Sequence, residues 1–549
     1  MLEAAAERMT PNSSVDDLCR SYLDLKYHFD PAAASAAGLV PEDSRLGRFD
    51  ADTTREHLSA LRSVMGAIEE LDPDDLQCEI DRTALLGEIR STVYRLEHEQ
   101  PNQRNPAFWL LHLFQALYSL LTRDQTDEAS RVSAVLARLR GVPGLVDAAR
   151  STIDQPATIF VDTALGMLGG GGELIAQSVR IFGAAAPDRA SELEKAGEDA
   201  LKALVAFGAA LRDEIEPSQD PQAFAVGEEQ FSRRLQHEHA LKAGPAELWR
   251  YGNRLQEEVT EQLATQTKQL GARSWRDLVD RLRDDSPAPD ELLDTYRGEM
   301  ERACRFVTER DLVGMPETRV ELMTTPRHLA PIVPFAAYEP PPVYLTGRSG
   351  RFYVTKPDPA LPPEVVAQQR RGHCRHAIPA MVAHEVYPGH HLQLVTIQGL
   401  GSEVRRHIWS PVMVEGWAVY CEQLMAEVGY YQTGEARLFQ LVSLLWRAIR
   451  IVLDIGLHTR GMTPAEATDY MVQHLPIERA NAEAEVRRYC AWPTYQLCYA
   501  VGRRELLSLR EAYRRRHGGE IEFRQFHDEL VGYGGIPVSL ARWGMDLAE

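Results

Sequence analysis

Apolar residues recur three and four positions apart from Val15 to about Met300, the spacing that lines one face of a helix. Asp81 to Glu99 and Ser191 to Glu214 are clear instances, and the whole stretch predicts successive amphipathic helices. Proline and glycine clusters at Pro101-Asn102, Gly141-Val142-Pro143, Gly169 to Gly172 and Pro217 to Pro221 predict the loops between them. The texture changes between about Thr318 and Thr355. Arg319 to Met323, Pro331 to Tyr338, Pro340 to Tyr344 and Arg351 to Val354 are short β-rich runs bounded by proline and glycine, which predicts a small antiparallel sheet. Helical spacing returns after Pro362. Ser410-Pro411 opens a helix reaching about Gly429, and Thr463-Pro464-Ala465-Glu466 is a capping box. Pro493 separates two more helices, the second running from about Thr494 to Arg516.

These elements predict a mainly α protein, a large bilobal helical body with the small sheet next to the active-site helix. Its expected lobes are a helical one over residues 1–300 and a catalytic one over 301–549, with the sheet at about 318–355. A chain of 549 residues exceeds one ordinary compact core, which is what two lobes would accommodate. The four glycines from Gly169 lack the Lys-Ser or Lys-Thr that follows in a phosphate loop, so a flexible loop is expected there.

Sixty Lys and Arg against eighty Asp and Glu give a formal charge of −20, which repels phosphate backbones and argues against nucleic acid as a partner. Seven scattered cysteines without CxxC spacing indicate neither a thiolate zinc cluster nor a disulfide framework. That pattern fits a reducing, cytoplasmic setting. Met1 to Ser14 lacks the basic start and apolar run of a signal peptide. Apolar runs such as Ala203 to Leu211 are about half of the ~20 residues a membrane span requires, so no membrane partner is expected. The oligomeric state is left open.

Histidine is concentrated: His373, His376, His384, His390, His391 and His407 are six of seventeen. A zinc hydrolase needs imidazoles and a carboxylate to hold Zn2+, an open position for water, and a second carboxylate as base. His384-Glu385 has the adjacent ligand and base of helix-borne zinc sites. Four residues on, where a second histidine is usual, stands Pro388. On a regular helix His390 would point about 120° away, and His391 would lie ~10.5 Å along the axis. Pro388-Gly389 is the composition of a bulge or break, and one that absorbs two residues turns His390 into the second ligand. His391 is then a supporting or substrate-binding donor, or a rival ligand. Glu415, among Met413, Val414, Trp417 and Ala418, is the expected third ligand, because a cation offsets the cost of burying its carboxylate. Gly416 beside it would let two helix backbones approach closely.

His384 to Gln393 (HEVYPGHHLQ), Glu415-Gly416-Trp417-Ala418 and the segment from Arg488-Tyr489 to Gly502 resemble the bacterial family called domain of unknown function 885, over most of the chain. Its members resemble the glutamate-zincin metallopeptidases, mostly helical, in which a Glu on a later helix completes the site and an edge strand aligns the substrate. The resemblance implies His384, His390 and Glu415 as zinc ligands and Glu385 as general base. Tyr499, in a Gln-x-x-Tyr context, and His458 are the expected oxyanion donors, and Arg488 the expected partner of a substrate carboxylate. Each has a plainer reading too: His458 as a helix-end cap near Gly461, Tyr499 as a packed helix-face residue, Arg488 as a solvated ion pair. His373 and His376 are expected to be structural or exposed.

The function so implied is zinc-dependent hydrolysis of amide bonds, as a metallopeptidase acting on short peptides. Arg371, Arg375, Arg405 and Arg406 weakly favour substrates with a free carboxylate, hence exopeptidase action. A metal-dependent amidase or biosynthetic enzyme with a non-peptide amide substrate uses the same ligands. A metal-free helical binding protein with a vestigial site is the third reading, against which the intact Glu385 speaks.

Overall fold

Helical spacing in the sequence becomes helix almost throughout a computed structural model of the chain, which describes residues 5, 7–10, 13–122, 127–326, 335–345, 347 and 349–547. Two compact units emerge. The first comprises Met1–Asp74, Leu85–Val226 and Pro342–Thr346, the second Asp75–Ala84, Gly227–Pro341 and Gly347–Glu549. The boundary expected at residue 300 therefore lies at 226/227. The reason is packing: helix α5 (Pro245–Gln269) buries Leu248, Leu255, Val259 and Leu263, and its Gly252 abuts Ile451 of helix α10 (Gly434–Thr459).

In the first unit, helices α1 (Pro106–Thr122), α2 (Glu128–Thr152), α3 (Thr158–Ala185) and α4 (Ala190–Asp213) enclose Trp109, Leu117, Leu139, Ile175, Phe182 and Phe207. The loops expected at Gly141-Val142-Pro143 and Gly169 to Gly172 are instead interior turns of α2 and α3. Tertiary packing overrides local propensity here. Val142 is buried in that core, and the Phe114 ring lies where a Cβ on Gly171 would stand. Because α3 continues through its glycines, it is long and apolar enough to cross a membrane by length and composition, contrary to the expected absence of such a run. A third of that stretch is buried inside the protein.

In the second unit, helix α6 (Leu292–Glu309) leads into strand β1 (Val320–Thr324), followed by β2 (Ala336–Glu339) and β3 (Gly350–Val354). Of the run expected from Pro331, only Phe335 onward lies within the described residues. The strand order is β1-β3-β2, with β2 antiparallel to β3 and β1 parallel to it. The expected all-antiparallel sheet is thus a mixed one: the stretch 325–349 between β1 and β3 exceeds the dozen or so residues that a parallel crossover requires. Phe352 and Val354 on β3 are fully buried, while β2 is an edge strand.

The remaining helices carry the site: α7 (Ile378–Glu385), α8 (His390–Gln398), α9 (Pro411–Glu427), α10, α11 (Arg479–Ala491) and α12 (Cys498–Arg516). The capping box at Thr463 has both reciprocal hydrogen bonds. Helices α9 and α12 meet backbone to backbone at Gly416 and Gly502. A Cβ on Gly416 would lie 2.5 Å from the Gly502 Cα, and one on Gly502 would lie 2.0 Å from the Val412 carbonyl oxygen. Gly502→Ala is expected to lower the unfolding free energy by about 3 kcal/mol by forcing the helices apart. A urea titration reads this, and a variant as stable as the parent would contradict the backbone contact.

Candidate metal centre

Helix α7 stops at Glu385 because Pro388 has no N–H to continue the ladder, and helix α8 starts afresh at His390. The Pro-Gly interruption is a break between two helices, of which the sequence offered bulge or break. Gly389 makes the junction tight: a Cβ there would come within 1.8 Å of the His384 carbonyl oxygen. On the far side, the Trp417 indole N–H of α9 donates to the Pro388 carbonyl at 2.9 Å. The first turn of α8 is thereby folded onto the last turn of α7.

This fold-back brings the His384 and His390 rings to 4.8 Å between centroids, nearly perpendicular at 87°. Glu415 reaches in from α9, with its Oε2 3.4 Å from His390 Nε2 and 4.0 Å from His384 Nε2. One donor atom from each of the three lies within 4.8 Å of the others. Ligands held at ~2.05 Å in tetrahedral geometry stand about 3.3 Å apart, so the separations are those of a site that closes by small side-chain movements. Burial would raise the Glu415 carboxyl, but His390, His384 and the Tyr495 hydroxyl together hold it down to about 2.

A further layer orients these groups. Glu422, two turns beyond Glu415 on α9 and 1% exposed, accepts a hydrogen bond from His384 Nδ1 at 2.9 Å and pairs with Arg447 Nη2 at 3.1 Å. With Nδ1–H committed to a carboxylate, a neutral His384 carries its lone pair on Nε2, the ring nitrogen 4.0 Å from Glu415. The Tyr495 hydroxyl donates to Glu415 Oε1 at 2.5 Å. Neither Glu422 nor Tyr495 was singled out from sequence. The available signals were spacings: Glu422 follows Glu415 by seven residues, two turns along one helix, and Tyr495 precedes Tyr499 by four.

His391 is drawn away from this centre. Its Nε2–H donates to the Thr318 carbonyl at 3.1 Å, and the Tyr338 hydroxyl lies 3.0 Å from its Nδ1. It ties α8 to the sheet, so neither the rival-ligand nor the substrate-binding role fits its position. Glu385 accepts the Tyr338 backbone N–H on Oε2 at 3.1 Å, which fixes its carboxylate beside edge strand β2. The Tyr499 ring stacks on His384 at 6.5 Å and 15°, and its hydroxyl has no hydrogen-bond partner among the described residues.

Two expectations are corrected by position. His458 is fully buried, with Nε2–H donating to the Tyr489 carbonyl at 3.0 Å, and burial pushes its imidazole down to about 4. It stands eleven residues beyond Arg447 on α10, about 16 Å along the axis, too far to serve as an oxyanion donor. The basic residues Arg371, Arg375, Arg405 and Arg406 are each paired with acids, among them Asp280, Glu291, Asp81 and Glu403, so they present no surplus charge. Arg488 pairs with Glu485 at 2.7 Å, in a network adjoining Tyr499. His373 is structural as expected, bonded between Tyr296 and the Thr355 carbonyl.

The profile of a family described as bacterial protein of unknown function (DUF885) matches residues 31–545. The chain belongs to the DUF885 family. Two solved structures share the fold of this DUF885 chain. A "putative lipoprotein of unknown function from Shewanella oneidensis" superposes with a TM-score of 0.82 at 21% identity, covering 97% of this chain and 100% of the other. The "putative lipoprotein from Colwellia psychrerythraea" gives 0.82 at 18% identity, covering 97% and 99%. No curated protein matches the sequence. The cytoplasmic expectation is overturned by these relatives, both described as lipoproteins, a class held at membranes by its lipid. Charge and cysteine spacing describe the folded body and do not report on which side of a membrane it works.

The position of His391 carries its own test. His391→Phe is expected to lower stability by about 1–2 kcal/mol by leaving the Thr318 carbonyl and Tyr338 hydroxyl without their partner. Chemical denaturation measures it, and an unchanged midpoint would deny the tie between α8 and the sheet.

Proposed function

We propose that this chain is a zinc-dependent hydrolase of amide bonds, acting as a metallopeptidase on short peptides. The observation that carries the reading is the convergence of His384, His390 and Glu415 beside a Glu385 carboxylate tethered to an edge strand. Two imidazoles and one carboxylate are the donor set zinc favours, and three protein ligands leave the fourth position of a tetrahedron open, the pattern of catalytic sites. The carboxylate behind His384 adds to the fit, since it fixes the tautomer that a metal requires. Zn2+ held there supplies a Lewis acid that polarises a carbonyl and acidifies water.

Glu385 takes a proton from the attacking water, whose oxygen bonds to the amide carbon. The C–N bond then breaks, and Glu385 returns the proton to the leaving nitrogen. The Tyr499 hydroxyl, without a hydrogen-bond partner among the described residues, is the donor for the developing oxyanion. On β2, Ala337 and Glu339 face β3, so Ala336 and Tyr338 turn their main chains outward. The Tyr338 N–H is taken by Glu385, leaving its carbonyl and the Ala336 groups to pair with an extended peptide.

Glu385→Gln is expected to retain one zinc per chain by elemental analysis while losing at least ~100-fold in kcat/KM on a mixed peptide library. Glu415→Ala is expected to lose the metal itself. A fully active Glu385→Gln variant would refute the assigned base. A purified parent protein that neither contains zinc nor takes it up would refute the whole reading.

A further inference from the structure

Beside the metal centre lies a second cluster of charge. Arg450 on α10 places its guanidinium 4.7 Å from the centre of the Tyr499 ring, the ring that stacks on His384. It donates from Nε to the Tyr489 hydroxyl at 3.0 Å and from Nη2 to Glu485 at 3.1 Å. Arg488 on α11 donates to the same Glu485 oxygen at 2.7 Å, and so does the Tyr489 hydroxyl at 2.8 Å. Two guanidiniums thus share one carboxylate. The nearby Arg447 is already neutralised by Glu422, so the cluster carries one surplus positive charge. Arg450 is a nearly buried anchor with 11% of its side chain exposed, and Arg488 is more accessible at 29%. Surplus charge held in so sheltered a place is costly unless an anion meets it, and both guanidiniums keep N–H groups that bond to no other described residue.

Resting on the hydrolase reading above, we propose that Arg450 and Arg488 receive the terminal carboxylate of the substrate's leaving fragment, making the chain a carboxy-terminal exopeptidase. The distance from His384 to the Arg450 guanidinium is at most the sum of the 6.5 Å and 4.7 Å separations on either side of Tyr499. At ~3.5 Å per extended residue, a fragment of about three residues at most spans it. Tyr499 stands between the two centres, so one side chain borders both the scissile carbonyl and the fragment that departs.

The test compares N-acetylated peptides identical except at their ends: a free carboxylate, an amide, and an amide whose last residue is Asp. The unmodified protein is expected to cleave the free acid about 10- to 100-fold more efficiently than the amide, near its C-terminus. In Arg488→Gln the ratio of acid to amide cleavage collapses toward one. Calorimetry with an acetyl-dipeptide acid and its amide separates the two readings. Selective binding of the acid without any cleavage upholds the subsite and sinks the hydrolase. Equal cleavage of acid and amide, equal binding of both, or an Asp-amide cleaved as well as the free acid each overturns the carboxy-terminal assignment.

Discussion

On an uninterrupted helix, side chains six residues apart face about 120° away from one another and stand ~9 Å apart along the axis. His384 and His390 are six apart, so everything at this centre depends on the chain turning back on itself between them. Pro388 removes a ladder donor, and Gly389 occupies a place where any Cβ would collide with the preceding turn. Trp417, wholly buried, then clamps the break through its indole N–H. The clamp comes from the same helix as Glu415, two residues away. One helix therefore both locks the histidines together and delivers the acid that meets them, and its position is fixed in turn by the Gly416 and Gly502 contact.

Around this junction the protein buries an unusual amount of charge. Glu415, Glu422, His384, His390 and Arg447 lie within bonding reach of one another in a chain of ion pairs and hydrogen bonds. Apolar residues of similar volume would stabilise such an interior as well or better, while removal of a single member of a buried pair typically costs about 3–5 kcal/mol. The groups are interdependent: Arg447 supports Glu422, Glu422 fixes the His384 tautomer, and His384 and His390 hold Glu415 ionised. An arrangement so costly to assemble is an argument for chemistry at its centre, since the fold itself does not need it.

The sequence revealed the residue types at this centre better than their surroundings. His384, His390, Glu415 and the role of Pro388-Gly389 were readable because each breaks a local pattern: a histidine cluster, an acid amid apolar neighbours, a proline where a helix should continue. Gly416 was readable for the same reason. Glu422 and Tyr495 were not, because they are residues of ordinary type, one on a helix and one in a turn, whose meaning comes from partners 38 and 80 positions away. Glycines 169 to 172 misled in the opposite sense, since they lie inside a helix of 28 residues whose packing against Phe114 and Leu201 local composition does not reveal. The unit boundary was hidden because the stripe on Pro245–Gln269 is equally apolar whichever partner it packs on. The direction of β1 was hidden because strand composition carries no sign.

One buried carboxylate connects the His384, His390 and Glu415 cluster to the cluster of arginines. Asp454, fully buried on α10, accepts the backbone N–H groups of Thr494 and Leu497, both at 3.1 Å. Thr494 has a left-handed φ of 66°, uncommon for a β-branched residue and sustained here by that anchor. The turn so held launches α12 with Tyr495 directed at Glu415 and Tyr499 between His384 and Arg450. Burial pushes the Asp454 carboxyl up to about 7 even though the N–H groups pull it down, which measures how sheltered the anchor is. Arg450 rises from the same face of α10 one turn before Asp454, so the helix that carries this arginine also fixes the turn that carries both tyrosines. The contacts of Tyr495 with Glu415 and of Tyr499 with His384 and Arg450 are in this way built on a single rigid element, and a shift in α10 would disturb both together.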